Sequence, residues 1–349
     1  TYIQNQLFFF DKIEKMYIKM SAELKAQHNF QSRISLSENI PLSTPLVIYV
    51  EVSSFCNLSC GFCPQHLSPN EVPKNKMHLE RFEEMCRQIK KFPELPKLIR
   101  FCGIGDSLTN PDFVEMLKIA NEYKIGEKMQ LITNGVLFQN KKNHEVINLL
   151  DQIVVSIEGL SDKDYLKFAN RKVNFDKHVE TLKFLCSQST RKAKFNIKIH
   201  SGAVQNDERL NFFYETFDFA DEVFVENLVN LWPELESDMG NNKDNNHRFL
   251  KKEAKKVVAF PQIFKSLQVN ANGVVVPCCI DWSAKNNLGN IDKMSLSEIW
   301  NSENLRSLRI KHLKGERDSF LPCKECTMNE FSEFDSIDDD RKKILEKII

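Results

Sequence analysis

"LVIYVEVSSFCNLSCGFCPQH", residues 46–66, places Cys56, Cys60 and Cys63 within eight residues of one another, directly after the apolar run Leu46 to Val50. Such a run, rich in β-branched side chains, reads as a buried strand. Three thiols at its end read as a metal site, because clustered cysteines in a reducing compartment bind metal rather than each other. Thiolates select zinc or iron-sulfur clusters. Zinc asks for four protein ligands, which His66 would complete. A cubane cluster held by three cysteines instead leaves one iron open to a substrate or cofactor.

Outward from this stretch, strand-like runs at 46–52, 98–102, 128–132, 152–157, 195–200 and 221–226 alternate with amphipathic helical segments. Leu79, Phe82, Met85, Cys86 and Ile89 form one helical face. Phe113, Met116, Leu117 and Ala120 form another, opened by Asn110 as cap with Pro111 in the first helical position. Phe175, Val179, Leu182 and Leu185 form a third. Six β-α units at this spacing predict an α/β fold with a parallel sheet, open or curved into a partial (β/α)6 barrel. Ahead of it, Ile13, Met16, Tyr17 and Met20 have helical spacing over 11–27, so residues 1–45 are expected to be a helical extension and 46–256 the core.

The rhythm stops after Glu226, and 240–246 read as a polar loop. Residues 266–269 and 274–276 read as a hairpin around Asn272-Gly273, a pair suited to a type I′ turn. It leads into Cys278-Cys279. A short helix at 295–300 and a longer one at 303–314, stopped by Gly315, precede Cys323 and Cys326. Residues 257–328 therefore predict a second, cysteine-rich domain with a β-hairpin and helices, and 329–349 a solvent-exposed tail.

Lysine plus arginine and aspartate plus glutamate number 48 each, so no global field draws the chain to nucleic acid or an anionic membrane. No stretch approaches the roughly 18 apolar residues of a membrane span. With no signal pattern at Thr1, a cytoplasmic address is expected. Cys86, Cys102 and Cys186, each alone in apolar surroundings, read as buried small hydrophobes.

The chain resembles the radical S-adenosylmethionine (radical SAM) enzymes, whose signature is Cys-x-x-x-Cys-x-aromatic-Cys after the first strand of a partial barrel. Cys56, Cys60, Phe62 and Cys63 match it residue by residue. The resemblance implies a [4Fe-4S] cluster whose open iron chelates S-adenosylmethionine, with Phe62 near the adenine. Gly103-Ile104-Gly105-Asp106-Ser107 is similar to the family's Gly-Gly-Glu-Pro-like turn that meets the methionine amino group, with Asp106 for Glu and Ser107 for Pro. Thr133-Asn134-Gly135 and Ser156-Ile157-Glu158-Gly159 are similar to segments near the ribose, implicating Asn134 and Ser156. Arg171 resembles an arginine that reaches the carboxylate.

Pro277-Cys278-Cys279, Leu288-Gly289-Asn290, the Trp300 helix and Cys323-x-x-Cys326 resemble the SPASM or twitch extension, which implies a second, auxiliary [4Fe-4S] cluster. Met294 stands where the longer pattern has a cysteine. The four thiols make one cluster if both vicinal cysteines bind, or three ligands plus an open or noncysteine site.

What the resemblance implies is reductive cleavage of S-adenosylmethionine to a 5′-deoxyadenosyl radical, with electrons from a donor such as flavodoxin or ferredoxin. That radical abstracts a hydrogen atom. Dehydrogenation of a sugar or aminocyclitol carbon is the expected reaction, or epimerisation with Cys102, Cys278 or Cys279 as hydrogen donor. The alternatives are side-chain modification of a ribosomal peptide or protein, and a non-catalytic zinc-stabilised scaffold.

Overall fold

The computed structural model describes residues 23–24, 35–229, 231–232, 235, 256–331 and 335–349. The helical spacing over 11–27 and the loop over 240–246 fall outside these, apart from the strand β1 (Glu23–Leu24). The six expected strands are present as β2 (Val47–Val50), β3 (Leu98–Phe101), β4 (Met129–Thr133), β5 (Gln152–Ile157), β6 (Lys194–His200) and β7 (Glu222–Glu226). They lie side by side in sequence order, all parallel, with helices in the crossovers. This is the α/β partial barrel that the alternation predicted.

Two more observations extend the sheet. β8 (Ser266–Val269) pairs in parallel with β2, opposite β3, and β9 (Val274–Val276) and β10 (Gly289–Asn290) follow antiparallel. The first half of the cysteine-rich segment is thus hydrogen-bonded to the strand that carries the cysteine loop.

The sheet has unlike faces. Ile48, Val50, Ile99, Phe101, Leu131, Ile153, Val155, Ile197 and Ile199 point to the helix side and are essentially inaccessible. There Phe101 packs between Phe82 of helix Leu79–Ile89 and Phe113 of helix Phe113–Tyr123. The residues between them in sequence are largely polar: in one register layer Tyr49 faces Arg100, Arg100 faces Gln130 and Gln130 faces Gln152. Their side chains bond in a row, Arg100 Nη1 to Tyr49 Oη at 3.3 Å, Arg100 Nε to Gln130 and Gln130 to Gln152. A parallel sheet buried in apolar layers on both faces reads as continuous apolar runs, and this one does not.

Four expectations are corrected. The hairpin turn is not type I′: Gly273 has φ +82° but Asn272 does not take positive φ, and Gly273 N–H bonds Asn270 O in a four-residue loop. Helix Phe113–Tyr123 starts beyond Pro111, because Asn110 Oδ1 accepts the Asp112 N–H while its amide holds Val52 O and Met77 O. The C-terminal segment is no exposed tail, since helix Arg341–Ile348 packs on helix Glu303–Lys314 and buries Ile344 completely. Cys102 is not core packing like Cys86 and Cys186 but half-buried on the polar face.

Two predictions follow from the packing. Ile344→Ala lowers unfolding stability by about 2–4 kcal/mol in denaturant melts, where a residue of an exposed tail would change it by less than about 0.5. His178 is inaccessible, neither ring nitrogen has a partner, and burial pushes its pKa down to about 4. The unfolded chain then binds the extra proton, so the stabilising contribution is present above the ordinary value near 6.5 and is lost as pH falls from there through about 4. His178→Leu flattens this acid slope in melts recorded between those limits.

Candidate active site

The cysteine loop leaves the C-terminal end of β2 and is held from three sides. Helix Asp162–Ala169 ends against it, with Phe168 O and Ala169 O accepting Gly61 N–H and Ser59 N–H at 2.9 Å each. These are carbonyls that a helix leaves unsatisfied at its last turn. Asn170, in the left-handed region at φ 51°, adds an amide bond to Ser59 O. On the second side, Phe55 O accepts Asp106 N–H at 2.8 Å. On the third, Asn134 Nδ2 approaches Cys56 Sγ at 3.8 Å and bonds Asn57 Oδ1 at 2.9 Å.

Gly103 and Gly105 are required by this contact. A Cβ at Gly105 would press on the carbonyl oxygens of Ser53 and Phe55, and one at Gly103 on the buried Glu51 side chain. Glu51 bridges Ser54 Oγ at 2.8 Å and Ile104 N–H at 2.9 Å, and burial raises its pKa. Asp106 is also buried. Its carboxylate accepts Leu108 N–H, Thr133 Oγ1–H, Asn134 N–H and Asn134 Nδ2–H at 2.7–3.0 Å. Burial outweighs these donors and lifts its pKa above the usual carboxylate value.

Burial pushes Cys56 up to about 12 and Cys63 up to about 11, and lifts Cys60 well above its ordinary value. Bare thiols here are neutral, and binding iron releases their protons. Leu58 N–H lies 3.5 Å from Cys56 Sγ. Half-buried thiols with N–H groups around them suit a cluster.

Across the loop stand the ends of β5, β6 and β7. Glu158 Oε2 is buried, 3.9 Å from His200 Nε2, and burial raises the carboxyl's pKa to about 7, with Lys198 pulling it down, Glu226 pushing it up and the Cys60 thiol pulling it down. His200 Nε2 lies 3.3 Å from Glu158 O, its Nδ1 has no partner, and burial lowers its pKa to about 4. Phe62 meets the His200 ring edge-on at 5.6 Å. Lys198 and Glu226 form an ion pair with side chains only 18% and 11% exposed. Ser156 is register partner to Lys198 on the same face.

The structure therefore brings Cys56, Cys60, Cys63, Phe62, Gly103, Gly105, Asp106, Asn134 and Ser156 to one end of the sheet. Arg171 is exposed, its guanidinium on Asn170 O at 3.1 Å, next to the residue that bonds Ser59 of the cysteine loop. Sequence reading passed over Lys198, His200 and Glu226. The signal was present in "KFNIKIH", 194–200, where Asn196, Lys198 and His200 alternate with apolar residues.

Cys278, Cys323 and Cys326 line one cavity, with Asp281, His312 and Arg317. Asn286 Nδ2 lies 3.7 Å from Cys323 Sγ and Met328 N–H 3.3 Å from Cys326 Sγ. The Cys279 thiol is hydrogen-bonded to that of Cys278, and both bear on Tyr49, with Cys279 also acting on Cys102, which burial pushes up to about 12.

Residues 50–215 match the sequence model of the Radical SAM superfamily, and residues 261–327 that of SPASM, the iron-sulfur cluster-binding domain. The chain belongs to the radical SAM superfamily. As a radical SAM enzyme with an SPASM domain it takes a [4Fe-4S] cluster, S-adenosylmethionine and an auxiliary cluster. It is thus not the non-catalytic scaffold of the zinc alternative.

This radical SAM chain is 33% identical over 115 residues to the tungsten-containing aldehyde ferredoxin oxidoreductase cofactor-modifying protein of Pyrococcus furiosus, covering 32% of this chain and 31% of that one. It is 27% identical to the GTP 3′,8-cyclase of Aquifex aeolicus, over 48% and 52% of the two chains. It spans about half or less of these relatives.

Among solved structures, BtrN in complex with AdoMet and 2-DOIA superposes with TM-score 0.53 at 21% identity, over 80% of this chain and 92% of that one. His-tagged anSMEcpe with bound AdoMet gives 0.60 at 16% identity, over 87% and 95%. Streptococcus suis SuiB bound to precursor peptide SuiA gives 0.57 at 17%, over 85% and 72%. These likenesses show the fold. Among the described residues no helix is long and apolar enough to cross a membrane.

Gly105→Ala forces the cysteine loop off the 103–106 turn at a cost on the order of 3 kcal/mol. The expected outcome is less than half the wild-type iron at the first site after anaerobic reconstitution, read by iron and sulfide assay. Full iron content in Gly105→Ala would show that the close approach is not needed.

Proposed function

We propose that this enzyme dehydrogenates a secondary alcohol carbon of a small polar substrate, a sugar or an aminocyclitol. Cys56, Cys60 and Cys63 hold the first cluster, and Cys278, Cys323 and Cys326 the auxiliary one. Phe62, Gly103, Gly105, Asp106, Asn134 and Ser156 frame the S-adenosylmethionine site, and Arg171 joins it only on moving from its present exposed position. Bound there, these groups supply hydrogen-atom abstraction and an electron acceptor.

The observation that carries the reading is the polar face of the sheet. Hydroxyl and amino groups need fixed donors and acceptors, and the row from Tyr49 to Gln152, with Lys198 and Glu226 on the same face nearer the C-terminal strand ends, offers both. A half-buried ion pair is expensive to desolvate, and a polar ligand that hydrogen-bonds both charges offsets that cost. Loss of a hydrogen atom, a proton and an electron balances as alcohol to carbonyl. Phe62 and Phe168 flank the His200 ring and help keep water from the reacting carbon.

Epimerisation is the second reading, favoured by the Cys102 thiol on the same polar face as Lys198 and near Cys279. Thiol-held clusters favour a reducing compartment such as the cytoplasm, and flavodoxin or ferredoxin is the electron source that this reading takes.

Anaerobic reconstitution is expected to give about eight irons per chain and reductant-dependent 5′-deoxyadenosine. With ring-deuterated sugars and aminocyclitols, deuterium appears in that product. Label drawn only from peptides would sink the carbohydrate reading, and solvent deuterium in recovered substrate would select epimerisation. Lys198→Met lowers kcat/KM roughly 100-fold while substrate-free cleavage of S-adenosylmethionine persists.

A further inference from the structure

His312 lies on helix Glu303–Lys314 and lines the cavity of Cys278, Cys323 and Cys326. It is fully buried. Its Nδ1 accepts the Phe260 N–H at 3.3 Å, while Nε2 has no partner. A neutral imidazole that accepts at Nδ1 carries its proton on Nε2. The cavity therefore receives a buried N–H donor without an acceptor, which is costly unless something that fills the cavity accepts it.

Arg317 repeats the pattern. Its Nη2 donates to Cys326 O at 2.8 Å and to Cys323 O, and its Nε is buried without a partner. A positive charge is thereby fixed beside two of the three thiols. The group that three cysteines would hold here presents sulfur acceptors.

We propose that His312 donates its Nε2–H to a sulfur of the auxiliary cluster and so holds that cluster's reduction potential above the value its cysteines alone would set. The inference rests on Cys278, Cys323 and Cys326 as the ligands. Direct ligation of iron by His312 is disfavoured by the same geometry. A lone pair on Nε2 would require a proton on Nδ1, which would then meet the Phe260 N–H head on. A donated hydrogen bond stabilises the more negative, reduced cluster, as does the nearby guanidinium. An electron acceptor benefits from both.

The test uses the full chain with Cys56, Cys60 and Cys63 changed to Ala, so that only the auxiliary cluster remains, and follows its reduction by EPR-monitored titration. His312→Leu is expected to keep its iron and to favour oxidation about tenfold, a fall of about 59 mV for one electron. His312→Gln, which retains an N–H, falls less. An unchanged potential in His312→Leu overturns the hydrogen bond alone. Absence of any cluster in the parent overturns the ligand reading and this inference together. Should His312→Leu lose its cluster, pulsed EPR of the parent labelled with 15N-histidine decides. A weak nitrogen coupling supports donation to sulfur, and a coupling of the size seen for ligated imidazole, or none, overturns it.

Discussion

Asp106 is the group on which the active end of the sheet depends. Its backbone N–H holds Phe55 O in the cysteine loop, and its carboxylate holds the turn after β4 through Thr133 and Asn134. Asn134 in turn reaches Asn57 and Cys56. Three separate strand ends are thereby tied through one buried residue, by its backbone N–H and its carboxylate. A cluster loop needs such support, because a metal site a fraction of an ångström too loose loses its geometry.

The second constraint is the difference between the two faces of the sheet. Apolar side chains on the helix side supply the stability. The side chains alternating with them are free to be polar, and they are: Tyr49, Arg100, Gln130, Gln152, Asn196 and Lys198. A sheet with one polar face has given up part of its apolar burial, and the charged Lys198 and Glu226 of that face gather at the strand ends. This is where ligands meet barrels of parallel strands.

The distal half obeys the same logic with different means. β8 extends the sheet past β2, so the segment carrying Cys278 grows out of the strand neighbouring the first cysteine loop. Cys278 and Cys279 follow one another in sequence with their thiols hydrogen-bonded, Cys278 lining the cavity of Cys323 and Cys326 and Cys279 bearing on Tyr49 and Cys102.

Much of this was legible in the chain. Period-two runs separated by period-3.6 segments specify a parallel α/β sheet because each needs a crossover, and thiols at fixed spacing on a strand end announce metal. Other features were not. Tyr49, Arg100, Gln130 and Gln152 lie far apart in sequence and become a row only through strand register. The turn at Asn272-Gly273 followed the needs of its flanking strands over its own dipeptide preference, and the amphipathic C-terminal helix found a partner in helix Glu303–Lys314 that no local pattern names. The sequence by itself determined the element types, the order of strands and the chemistry of both cysteine sets, because periodicity and ligand type are local. The tertiary structure alone decided that Asp106 is shared by three loops and that Lys198, His200 and Glu226 face the cysteine loop, because each depends on which side of a twisted sheet a residue meets.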